Sequence, residues 1–148
     1  DSLDNYLPEV ETRWKEYIDF AKPVVLRRIN LRYVNLIELP YNEGSVRPPE
    51  YFTLLPKKMP YSNISYGSLF YSIQVFSDSP EASGQVTLAS REVQDGQLPM
   101  ILDLSVSMDK NASPMQFDAI LEDIENLRRF KNDLFNSTVT EKCKKLFH

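Results

Sequence analysis

The chain has 148 residues, 42% of them hydrophobic and 26% charged with both signs interspersed, which excludes wholesale disorder and supplies one domain with a core of its own. A net charge of -4 argues against a protein whose main task is to coat nucleic acid or an anionic membrane. The lone cysteine, Cys143, cannot form an intrachain disulfide, and no apolar run reaches the roughly 18 residues of a membrane span. The expectation is a single domain over residues 1–148 that is cytoplasmic and has no membrane contact. Because the chain starts at Asp1 rather than Met, a piece of a longer protein is also expected.

Leu3, Leu7, Val10, Trp14, Tyr17 and Ile18 recur at steps of three and four, the stripe of an amphipathic helix. Pro8 limits its start and Pro23 its end, which predicts a helix over 8–21. Residues 24–39 read as the longest strand, with Ile29, Leu31, Tyr33, Ile37 and Leu39 on one face and Arg28, Asn30, Arg32 and Glu38 on the other. The same alternation puts Asn35 on the apolar face, where its amide must find partners.

Five of the ten prolines fall between residues 40 and 62, predicting a long, stiffened connection. Within it a helical turn over 49–55 would let Phe52 and Leu55 pin the chain to the core. Residues 64–76 are β-prone on both faces: Leu69, Tyr71, Ile73 and Val75 on one, Tyr66, Phe70 and Phe76 on the other. That pattern predicts a central strand. A third strand is expected over 85–93, then a hairpin turn at Asp95-Gly96 and a fourth strand over 100–108. Ser113 and Pro114 look like the cap and first residue of a helix carrying the stripe Phe117, Ile120, Leu121, Ile124, Leu127 and Leu134. Asn136 or Ser137 then caps a last short helix. The predicted fold is α+β: a four-stranded antiparallel meander with an N-terminal helix and two C-terminal helices packed on one face.

Chemistry-bearing residues are sparse. The only histidine is His148 at the chain end, and there is no Cys/His cluster or glycine-rich phosphate loop, so no catalytic, cofactor-binding or metal-ligating set is assigned and no cofactor is expected. Cys143 lies among Lys142, Lys144 and Lys145, whose charges would lower a thiol pKa, beside the plainer reading of a half-buried helix cysteine. Arg28, Arg32 and Asp103 fall on the polar faces of the first and fourth strands, where an ion pair or small polar cluster can form across the sheet; the plainer reading is a solvated or interface-covered face.

The segments Leu26-Arg27-Arg28-Ile29-Asn30-Leu31-Arg32-Tyr33-Val34-Asn35, Ile101-Leu102-Asp103-Leu104 and Leu127-Arg128-Arg129-Phe130-Lys131-Asn132-Asp133-Leu134-Phe135, followed by Thr138-Val139-Thr140-Glu141-Lys142, together resemble a sporadically distributed bacterial family of uncharacterised proteins. Its members carry an Arg-Tyr-Ile-Asn strand motif, a later Leu-Leu-Asp strand and a C-terminal helix ending near Leu-Phe and a Thr-containing segment. Here Val34 replaces the usual Ile. The resemblance covers about residues 10–148 and implies a bacterial, cytoplasmic C-terminal domain. It marks Arg32, Tyr33, Asn35 and Asp103 without assigning them roles.

With Arg28 added, these five residues form the candidate polar cluster. The expected function is a non-enzymatic binding or assembly module that meets a protein partner, or a second copy of itself, through the sheet face. The alternative is a metal-dependent hydrolase or nuclease-like domain whose carboxylate site is completed by a missing segment or second subunit, with Mg²⁺ or Mn²⁺ as the fitting ion.

Overall fold

A computed structural model describes residues 3–41, 46–57 and 67–147. The expected positions Ile64 and Tyr66 of the second strand, and His148, lie outside the described residues. Helix α1 (Leu7–Ala21) starts beside Pro8 and stops where Lys22 turns left-handed, its N–H bonded to the Ile18 carbonyl at 2.9 Å. None of its residues is fully buried. Two ties hold it: Trp14 Nε1 donates to the Pro114 carbonyl at 2.9 Å, and Arg128 grips Asp4, just ahead of the helix, at 2.6 and 3.0 Å.

Four antiparallel strands, β1 (Leu26–Pro40), β2 (Phe70–Asp78), β3 (Glu81–Ser90) and β4 (Gln97–Ala112), form one open sheet in the order β1-β4-β3-β2. The meander therefore runs through β2, β3 and β4, while β1 lies on the far side of β4. The expected central strand is β2, and the structure places it at an edge. Residues large on both faces suggest a strand covered twice, but among the described residues one face of the sheet is left open. The β3–β4 turn forms at Asp95-Gly96 as expected. Both residues have positive φ, at 51° and 72°, and the flanking Gln94 and Gln97 exchange two 2.9 Å backbone bonds, as a two-residue hairpin loop requires.

Helix α2 (Phe117–Thr138) begins three residues later than Ser113-Pro114 suggests. Ser113 instead shapes a preceding turn, with its carbonyl accepting from Gln116 N at 3.2 Å. The last short helix, α3 (Glu141–Lys144), is capped by Thr140, not by Asn136 or Ser137, because α2 continues through them; Thr140 Oγ1 accepts from Cys143 N at 3.3 Å.

The helices share one face of the sheet, and two linked cores fill the space between. Ile29, Val106 and Met108 meet Ile120 and Leu127 of α2 at one end. At the other, Ile37, Leu39, Met100 and Leu102 meet Phe52, Leu55, Val139 and Cys143. Phe52 and Leu55 thus pin residues 46–57 of the proline-rich connection as expected. Backbone bonds stitch it to the α2–α3 junction, with Thr53 N on the Thr138 carbonyl and Thr140 N on the Tyr51 carbonyl, each at 2.9 Å.

Candidate functional site on the open sheet face

Side chains alternate along a strand, so the register decides which residues share the face turned away from the helices. Across that face Val34 stands beside Asp103, Thr87 and Ser72, while Arg32 stands beside Ser105, Gln85 and Gln74. Arg32 reaches diagonally to Asp103 in a bidentate contact, Nε at 3.0 and 3.2 Å from the two carboxylate oxygens and Nη2 at 2.6 Å. The guanidinium is largely exposed, whereas the Asp103 side chain is only 21% exposed, so Arg32 lies over it as a lid. The carboxylate beside it raises the Arg32 pKa further above its ordinary value.

Neutral bonds extend this pair into a grid. Asn30 Nδ2 donates to Ser105 Oγ at 3.1 Å, Gln85 Nε2 donates to Ser72 Oγ at 3.1 Å, and the Ser72 and Thr87 hydroxyls lie 3.1 Å apart. Ser83 and Ser107 pair at 3.0 Å. Asn30, Arg32, Gln85, Thr87, Asp103 and Ser105 line a shallow depression at its centre. Towards one end, Arg28 Nε donates to Asp109 Oδ1 at 2.6 Å, which holds that carboxyl below the usual range.

The other end of the face is apolar. Leu36, Ile101, Ala89 and Phe70 form one row across all four strands, flanked by Val34. Val34 is 60% exposed, Leu36 57% and Phe70 77%. Polar groups joined to one another beside exposed aliphatic and aromatic side chains make a surface of mixed character.

The five predicted cluster residues divide between the faces. Arg28, Arg32 and Asp103 come together on the open face, while Tyr33 and Asn35 point to the helices. Lys131 of α2 lies 4.0 Å above the Tyr33 ring, and burial pushes the Tyr33 hydroxyl above its ordinary pKa. The same packing lowers the Lys131 pKa, chiefly by desolvation. Asn35 is half-buried, and its Nδ2 donates to the Leu102 carbonyl of β4 at 3.2 Å, the backbone partner its position required. Gln85, Thr87 and Ser72 belong to the grid but were not singled out from the sequence. The alternation Ser83, Gln85, Thr87 against Ala82, Gly84, Val86 and Leu88 is the signal that carries Gln85 and Thr87, and Ser72 and Gln74 between Tyr71, Ile73 and Val75 carry the same signal on β2.

Cys143 is fully buried, and desolvation pushes its thiol up to about 11, overriding the neighbouring ammoniums. Among the described residues no group of three or more His, Cys, Asp or Glu is placed to hold a metal ion, and no helix is long and apolar enough to cross a membrane. The chain matches no known protein-family model, no curated protein and no solved structure.

Proposed function

We propose that this protein is a non-enzymatic binding or assembly module whose open sheet face receives a protein partner. The observation that carries the reading is the composition of that face: a self-bonded polar centre around Arg32 and Asp103, bordered by an apolar row in which Leu36 and Phe70 are exposed and Ile101 is half-buried. A partner that covers the apolar row gains burial energy, while the Arg32–Asp103 pair and its neighbours give direction and register without leaving unpaired charge. A hydrolytic metal site fits this face poorly, because both Asp103 oxygens already accept from Arg32. The resemblance to a bacterial family and the single buried thiol support placing this activity in the bacterial cytoplasm.

The test is site-specific photo-crosslinking in the source cells. A photoreactive residue replacing Thr87, on the open face, is expected to give a discrete protein adduct that disappears when Leu36→Asp is added. The same probe at Glu122, on the exposed side of α2, is expected to give none. No adduct from Thr87, or the same products from both positions, refutes the reading.

A further inference from the structure

The two edges of the sheet are built differently. Strand β1 carries Arg27, Arg28, Arg32 and Glu38, charges of the kind that keep an edge from pairing with another chain. Strand β2 has a single charge, Asp78, at its end. From Phe70 to Ser77 it contains no charged residue and no proline, and its ladder with β3 runs without a bulge. Both of its faces are incompletely covered. On the open face Phe70 and Phe76 are 77% and 76% exposed, and on the helix side Tyr71, Ile73 and Val75 are only half-buried.

From this edge we infer that β2 pairs antiparallel with β2 of a second copy, about a two-fold axis through Ile73, to form a continuous eight-stranded sheet. The register follows from the sequence. Centring the axis on Ile73 sets Phe70 of each copy opposite Phe76 of the other, Tyr71 opposite Val75, Ile73 opposite itself and Ser72 opposite Gln74. Every apolar residue from 70 to 76 then meets an apolar one on its own face, and the two polar residues meet each other. A shift of the axis by one residue sets Phe76 against Ser72 and Phe70 against Asp78, or Phe70 against Gln74.

Four phenylalanines of about 150–250 Å² each, with the edge backbone and half-buried helix-side residues of both copies, bring the contact to the order of 1,000 Å², near the lower bound for a specific interface. Asp78 falls beyond the paired segment, opposite residue 68, so no carboxylates face each other. The inference concerns the β2 edge and shares Phe70 with the apolar row of the open face.

Sedimentation velocity across a concentration series tests it. The parent protein is expected to dimerise in the micromolar range, with β2 amides gaining hydrogen-exchange protection as dimer forms. Phe70→Lys and Phe76→Glu, both at exposed positions, are each expected to weaken the dimer at least tenfold. Combined in one chain they restore it, because the register places the two new charges opposite each other twice. Circular dichroism and thermal melts establish that each variant is folded. A parent that stays monomeric at hundreds of micromolar overturns the inference, and so does a dimer insensitive to both single substitutions or one that the double variant fails to restore.

Discussion

Gly84 is a sensitive gauge of how closely α2 approaches the sheet. It sits on β3 facing the helices, and its φ is not positive, so its backbone does not demand glycine. Space is what demands it: a Cβ would lie 2.8 Å from Leu134 Cδ1, 3.0 Å from Val75 Cγ2 and 3.4 Å from Phe130 Cε1. Gly84→Ala sets two effects against each other. Restricting the unfolded chain favours the variant by about 0.4–1 kcal/mol. Forcing a methyl into a filled site costs about 1–3 kcal/mol. Val75 is β-branched and fixed in β2, so Leu134 must move, and its half-buried position lets it yield in part. A net loss of about 0.5–2 kcal/mol is expected in urea unfolding followed by circular dichroism. Leu134→Ala in the same chain removes the 2.8 Å contact, so the double variant should be more stable than the sum of the single losses by about 0.5 kcal/mol or more. If Gly84→Ala is stabilising, or the two losses simply add, the helix does not rest on this glycine.

Within α2, Leu127 is fully buried while Ile124, on the same stripe, is half-buried. Leu127→Ala removes three carbons at about 0.8 kcal/mol each and leaves a cavity, for a loss of about 3–4 kcal/mol, against about 1–2 kcal/mol for Ile124→Ala. Equal losses in urea unfolding would place the inward face elsewhere. Cys143, its thiol raised to about 11 by burial, should react with a disulfide reagent at pH 8 only as fast as the protein opens. Its pKa is raised on folding, so its stabilising effect is complete below the ordinary thiol value and is lost as pH rises through about 9 to 11. Rapid labelling of the folded protein at pH 8 would contradict the burial.

The strands were legible because their alternation is unbroken: β4 runs Met100, Leu102, Leu104, Val106 and Met108 inward against Ile101, Asp103, Ser105 and Ser107 outward. The same parity separates Arg32 and Asp103 from Tyr33 and Asn35, so the division of the candidate cluster is implicit in the odd and even numbering. The strand order was not legible. No local pattern distinguishes β1 pairing with β4 from β1 pairing with β2, since the choice rests on contacts between residues far apart in the chain, such as those that join Phe52 and Leu55 to Ile37, Leu39 and Met100 in one core. The central role read for β2 failed for a related reason. Large residues on both sides of a strand report that both sides need cover, and they do not report that the same chain supplies it. The helix starts were displaced because Ser113-Pro114 and Ser137 carry cap chemistry that the structure uses in a turn and within α2.

The open face and the β2 edge share Phe70, which stands both in the apolar row beside Ala89 and on the strand that, among the described residues, has a neighbour on one side only. A loss of association on changing Phe70 therefore does not say which surface is in use. Leu36 and Phe76 separate them. Leu36 lies on β1 at the opposite edge of the sheet, remote from any β2 pairing, and Phe76 stands at the polar end of the face beside Ser83, outside the apolar row. Edge pairing places both open faces on one side of an eight-stranded sheet, with the two β1 strands at its outer margins. A partner bound at the Leu36 end would then occupy a region that the second copy does not cover. On that reading Phe76→Glu should weaken self-association at least tenfold while leaving the Thr87 crosslink in place.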